Sequence, residues 1–171
     1  MNGKVHVYTG NGKGKTTAAL GISLRAVGAG KKVFFAQFVK GMRYAEAEAI
    51  DQFIPDIEIR QFGLECFIEK EPAAEDIQKA RQGLEIVAEI LKEGSYDLVI
   101  LDEANIALYY KLFSVEELLS VLKQRSDNVE VVITGRYSPE AIIEYADLVT
   151  EMKEIKHYYT SGLQARKGIE Y

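Results

Sequence analysis

Thr9-Gly10-Asn11-Gly12-Lys13-Gly14-Lys15-Thr16-Thr17 stands between an apolar run, Val5-His6-Val7-Tyr8, and a helix-forming run, Ala18-Ala19-Leu20. Strand, glycine-rich turn and helix start are the context that a phosphate-binding loop requires. Glycines let the backbone turn tightly and bring its N–H groups close to an anion. The helix N-terminus adds its partial positive charge. In that reading Lys15 reaches the terminal phosphates and the Thr16 hydroxyl ligates Mg²⁺. The pattern G-x-x-x-x-G-K-[ST] is met at Gly14, Lys15 and Thr16, but Thr9 stands where the first glycine belongs. Gly10, Gly12 and Lys13 are additional. The dinucleotide fingerprint G-x-G-x-x-G fails, since it needs glycine at Lys15 or at Thr17. The bland alternative is a glycine-rich turn with incidental lysines.

The chain has 171 residues, which is most simply one domain, and at 47% hydrophobic it can bury a core. A formal charge of −5 argues against general nucleic-acid binding. The single cysteine, Cys66, excludes an internal disulfide framework and suits a reducing cytosol, so a cytoplasmic location is expected. The sequence goes straight into a strand, so no signal peptide is expected. No apolar run is long enough to span a bilayer.

Short apolar runs alternate with amphipathic helices. Strands are expected at Val5–Tyr8, Val33–Val39, Ile57–Arg60, Leu98–Leu101, Val129–Ile133 and Leu148–Thr150. Helices are expected over Thr16–Val27 and Ala45–Phe53, and from Pro72 to a stop at Gly94. Ser114-Val115-Glu116-Glu117 is a capping box opening another helix, and Ser138-Pro139 caps one more. Residues 62–72 read as irregular, and the tail from Lys153 has no clear period. The alternation implies an α/β, P-loop NTPase-like three-layer fold: a mostly parallel central sheet of about six strands with helices on both faces. Ligands in such sheets sit at the carboxyl ends of the strands.

Leu98-Val99-Ile100-Leu101-Asp102-Glu103 places two acids after four apolar residues, the Walker B pattern. Asp102 is the candidate Mg²⁺ holder. For Glu103 three roles stay open: second metal ligand, water-positioning base, or partner of a nearby cation. Alone, the pair also reads as solvated acids after a strand. Thr134-Gly135-Arg136 follows the next strand, and Arg136 either faces the triphosphate or pairs with a surface acid. His6 reads as structural, His157 as packing, and Cys66 as a small buried residue.

These segments together resemble one family. The loop at Thr9–Thr17, with Gln37-Phe38-Val39-Lys40-Gly41, Leu101-Asp102-Glu103, Thr134-Gly135-Arg136, Ala146-Asp147-Leu148-Val149-Thr150-Glu151-Met152, Lys156-His157 and Gly168-Ile169-Glu170-Tyr171, resembles the P-loop ATP:corrinoid adenosyltransferases. The resemblance runs from Lys4 to Tyr171, and a loop with threonine for the first glycine is that family's own pattern.

The resemblance implies attack of a Co(I) corrinoid on the 5′ carbon of ATP, giving adenosylcorrinoid and inorganic triphosphate, in cobalamin synthesis or salvage. It implies ATP as co-substrate, Mg²⁺ or Mn²⁺ as metal, an electron donor such as a reduced flavoprotein, and a homodimer. Lys13, Lys15 and Arg136 become the catalytic candidates, stabilising the leaving triphosphate. Thr9, Gly10, Asn11, Gly12, Lys13, Gly14, Lys15, Thr16 and Thr17 become the nucleotide cradle, and Thr16, Asp102 and Glu103 the metal site. No general base is needed, so Glu103 reads better as a metal or ribose contact. Well-known members carry an aromatic pair including tryptophan after the third strand. This chain has no tryptophan, and Phe62 and Phe67 are the aromatics available there to meet the corrinoid. The N-terminal extension that covers the corrinoid in some members is not expected here. The cover is then Gln37–Arg43, the tail, or a second subunit. Two other readings remain: a conventional P-loop NTPase or small-molecule kinase, and a non-catalytic carrier.

Overall fold

The computed structural model describes residues 2–64 and 71–170. Six strands form one sheet: β1 (Val5–Thr9), β2 (Val33–Phe38), β3 (Ile57–Phe62), β4 (Leu98–Asp102), β5 (Glu130–Thr134) and β6 (Leu148–Glu151). Their order is β3-β2-β4-β5-β1-β6, and every pairing is parallel. The helices are α1 (Lys15–Gly28), α2 (Ala45–Phe53), α3 (Ala74–Glu93), α4 (Ala104–Tyr109), α5 (Val115–Lys123) and α6 (Glu140–Tyr145).

The inner strands β2, β4 and β5 are buried on both faces because both faces are covered, whereas the edge strand β6 is exposed along its length. Val33 and Phe35 of β2 join the core with Ala19 of α1 and Ile50 of α2. Phe34, Ala36 and Phe38, one residue out of step, join Val87 of α3 and Leu118 of α5 on the other side. The same alternation divides Leu98 and Ile100 from Val99 and Leu101 in β4. A one-residue slip would exchange the two cores, so the register is firmly set. All six residues of β2 are buried, as expected of a strand inside the sheet.

The capping box is present: Glu117 N–H donates to Ser114 Oγ at 3.1 Å and Ser114 N–H to Glu117 Oε2 at 2.6 Å. Most element ends differ from expectation by a residue or two, and those of β2, β3 and α3 bear on the site. β2 stops at Phe38, because Val39 turns into the left-handed region at φ 63°. β3 runs on to Phe62, and α3 starts after Pro72 with the Asp76 carboxylate accepting from Ala73 N–H at 2.8 Å. The tail, which shows no period in sequence, contains a 3₁₀ turn at Tyr158–Ser161. None of the described helices is long and apolar enough to cross a membrane.

Candidate functional site

Parallel pairing puts the carboxyl ends of β1, β2, β4 and β5 along one edge. There the Gly10–Gly14 loop leads from β1 to α1. Gly14 precedes the helix with φ 119°, and no side chain caps it, so the first-turn N–H groups of α1 are left for a ligand. The extra glycines have a packing cause. Gly12 N–H donates to Met152 O at 2.7 Å, and a Cβ on Gly10 would lie 2.5 Å from that same oxygen. The segment after β6 therefore lies directly on the loop, and a side chain at Gly10 would push it off.

Lys15 is nearly buried, and its ammonium donates to Gly10 O and Gly12 O, each at 2.9 Å. Burial lowers its pKa, and Arg136 lowers it further, while Glu103 and Asp102 oppose the shift. The loop thus wraps its own lysine, the charge a phosphate would otherwise meet.

Asp102 ends β4 and is fully buried. Its two oxygens are separately satisfied. Oδ1 accepts from Thr16 Oγ1 at 2.8 Å and from Thr134 Oγ1 at 2.7 Å. Oδ2 accepts from Lys40 Nζ at 2.9 Å and from Gln37 Nε2 at 3.3 Å. Burial by itself lowers the Lys40 pKa, but the charge and hydrogen bond of Asp102, with Glu103 and Glu46, together hold it above its ordinary value. Gln37 is the register partner of Asp102 across β2 and β4. Gln61 Nε2 in turn donates to Gln37 Oε1 at 3.0 Å.

Glu103 takes φ 58°, a left-handed turn that separates its side chain from the strand direction of Asp102. Its backbone N–H donates to Thr134 Oγ1 at 3.0 Å. Burial, then the neighbouring Asp102 charge, raises its carboxyl pKa, while Lys40, Lys15 and Arg136 pull it down. Arg136 is itself exposed, one residue past Gly135, and Gly135 O accepts from the buried Asn105 Nδ2 at 3.1 Å.

The structure therefore brings Lys15, Thr16, Asp102 and Glu103 together, with Arg136 close enough to act on Lys15 and Glu103 electrostatically. Lys13 points the other way. Its ammonium donates to Tyr158 OH at 3.1 Å, Ile169 O at 2.9 Å and Glu170 Oε1 at 3.1 Å. Glu170 also pairs with Arg166 and Tyr158, and these bonds hold its carboxyl far below the usual range. Thr9 ends β1 opposite Glu151 of β6, and Asn11 and Thr17 are exposed on the loop and first helical turn. Phe62, expected beside a corrinoid, is a core side chain. It is 7% exposed, its ring centroid is 5.8 Å from that of Phe38, and it fills the space left by Gly83. Phe67 and Cys66 lie outside the described residues. Sequence reasoning missed Lys40, Gln37 and Thr134 as partners of Asp102.

The donor set suits Mg²⁺. It comprises one hydroxyl and one carboxylate 2.8 Å apart, with a second acid adjacent, and a cationic group already rests on the carboxylate. Mg²⁺ takes one or two protein oxygens and completes its shell with phosphates and waters.

A glycine-rich loop that feeds a helix N-terminus, beside a buried acid on a non-adjacent parallel strand, defines a P-loop nucleotide-binding protein. Comparison with known proteins narrows the class. The family described as ATP:corrinoid adenosyltransferase BtuR/CobO/CobP matches residues 1–171. A corrinoid adenosyltransferase of a Sinorhizobium species is 38% identical over 172 residues, covering 99% of this chain and 80% of the relative. Corrinoid adenosyltransferases of Pseudomonas aeruginosa and Escherichia coli K12 are 36% and 35% identical, each over 170 residues. They cover 99% of this chain and 84% and 86% of the relatives. The chain belongs to the ATP:corrinoid adenosyltransferase family, and its activity is ATP-dependent adenosylation of a corrinoid.

Proposed function

We propose that the loop and strand ends described above hold MgATP so that the bond between C5′ and its oxygen breaks, with no phosphoryl group transferred. The observation that carries this is the placement of the charges. Lys15, the uncapped N-terminus of α1 and Arg136, within electrostatic reach of Lys15, gather positive charge at the strand ends, which supports putting the leaving triphosphate there. The Co(I) centre of the corrinoid donates its electron pair to C5′. The C5′–O bond breaks, its pair leaves with the triphosphate, and cobalt ends formally as Co(III).

Lys15 gives up its bonds to Gly10 O and Gly12 O and turns to the triphosphate. Arg136 approaches from the end of β5. Lys13 adds a third cation once it leaves Glu170 and Tyr158. Stabilising a leaving polyanion by fixed positive groups is the main electrostatic contribution, and holding C5′ in line with cobalt supplies positional advantage. Thr16 and Asp102 are the protein ligands proposed for Mg²⁺, with Glu103 adjacent, and the ion supplies charge neutralisation of the triphosphate. Glu103, its carboxyl pKa raised, is well suited to hydrogen-bond the ribose.

The test is anaerobic. Full-length protein, MgATP and chemically reduced cob(I)alamin are mixed, and the visible spectrum is followed. Loss of the Co(I) band and appearance of a light-sensitive Co–C product is expected. Persistence of the Co(I) band, with ATP consumed, would reject the proposal.

A further inference from the structure

Lys40 is fixed from both sides. Before it, Val39 adopts φ 63°, an unfavourable conformation for a β-branched residue. After it, Gly41 presses on the chain beyond β3, where a Cβ would fall 2.4 Å from the Leu64 carbonyl. A Cβ on Gly63 would lie 2.5 Å from Lys40 N. Gln61 Nε2 donates to Met42 O at 2.8 Å and ties the next residue down. The turn is thus built to fold one lysine back over the strand ends.

Its ammonium meets Asp102 Oδ2 at 2.9 Å, and its side chain is 16% exposed against 0% for Asp102. Water reaches this pair poorly, so its attraction is screened little. Without Lys40, the Asp102 carboxylate would have only neutral donors within hydrogen-bond reach: Thr16, Thr134 and Gln37. A divalent ion between Thr16 and Asp102 would lie against the same carboxylate, and two cations at that spacing repel strongly.

We infer that Lys40 is the resident counter-cation of Asp102, holding the carboxylate in place in the metal-free protein, and that a divalent cation binds by displacing the Lys40 ammonium. This rests on the reading of Thr16 and Asp102 as metal ligands. Lys40 is a positioning residue in this account. Metal arrival frees its charge at the strand ends, within electrostatic reach of Glu103.

The probe is Mn²⁺, titrated into metal-free full-chain protein with and without ATP, and the free ion is read by its electron paramagnetic resonance signal. Wild type is compared with Lys40→Met, Lys40→Gln and Lys40→Arg, and melting temperatures are recorded without metal. In Lys40→Met and Lys40→Gln, Mn²⁺ should bind on the order of tenfold more tightly, as when a competing ligand is removed. Their metal-free melting temperatures should fall, because a buried carboxylate has lost its counter-charge. Lys40→Arg should bind Mn²⁺ no better than wild type. Equal or weaker Mn²⁺ binding by both neutral variants would overturn the inference alone, and a joint fall in binding and stability would make Lys40 a brace for the loop. No Mn²⁺ binding by any form, beyond that of ATP itself, would overturn both the inference and the metal reading beneath it.

Discussion

Thr134→Val keeps the volume of a buried residue and deletes one hydroxyl. That hydroxyl donates to Asp102 Oδ1 at 2.7 Å and accepts from the Glu103 N–H at 3.0 Å. Thr134 and Asp102 are both 0% exposed, so water has no route to replace either bond. A hydrogen bond to a charged group contributes about 1.5–3 kcal/mol, and a buried donor left unpaired costs about 1–3 kcal/mol. The two losses share one atom and one site, so they do not simply add. A net loss of about 3 kcal/mol is the central expectation. For a chain of this size each kcal/mol moves Tm by about 2–4 °C, which gives a fall of about 6–12 °C. The assay is urea and thermal unfolding of metal-free protein by circular dichroism, where the midpoint should drop with an unchanged m-value. Thr134→Ser, which keeps the hydroxyl, should recover most of the loss. A valine variant within about 0.5 kcal/mol of wild type, the range of ordinary surface changes, would refute the reasoning. Asp102 would then be held by Lys40 and Thr16, and Thr134 would be only a packing residue.

Lys15→Ala should lower kcat by on the order of 10²–10³, as removal of a group that stabilises developing charge does. Folding, followed by unfolding midpoints, should change little, and a wild-type rate would remove Lys15 from the reaction. Asp102→Asn should raise the Mg²⁺ concentration for half-maximal rate by about tenfold or more; an unchanged metal titration would detach Asp102 from the ion. Glu170 has a folded pKa below its ordinary 4.5 because of its bonds to Arg166 and Tyr158. A depressed carboxylate stabilises above its unfolded pKa and loses that stabilisation as pH falls through the folded one. Amide exchange over residues 158–170 should therefore stay slow from neutral pH down past the ordinary carboxylate range. In Glu170→Gln it should be fast already at neutral pH, and equal protection in both proteins would contradict the tail contact.

The parts of the fold legible in sequence are those set by local pattern. β4 shows as four consecutive apolar residues because both faces of that strand are covered, and α5 shows through its Ser114–Glu117 box. Helix α4 does not show. It spans six residues directly after Glu103, too short for a period to emerge. The loop was legible at Gly14, Lys15 and Thr16, whose spacing carries the chemistry. The reason for Gly10 was not, since it depends on Met152, far along the chain. Asp102 was found from its position after β4, but its partners were not. Gln37 and Thr134 meet it only through the order of β2, β4 and β5. Lys40 meets it only because Val39 abandons strand geometry, where the apolar run had suggested that the strand continues. In sequence Phe62 reads as a ligand-facing aromatic, because sequence shows that a ring is present and not which way it points. Extension of β3 turns it inward against Gly83. The outward course of Lys13 required contacts with Tyr158 and Glu170, in a tail without periodicity.

The most direct test of the central claim is the fate of the three phosphates. After anaerobic turnover of MgATP with a Co(I) corrinoid, phosphorus magnetic resonance of the spent mixture should show intact inorganic triphosphate, in step with the Co–C product. ADP with orthophosphate, or AMP with pyrophosphate, as the corrinoid-dependent product would contradict cleavage at C5′. Lys15, Arg136 and the α1 N-terminus would then be the parts of an ordinary phosphoryl-transfer site.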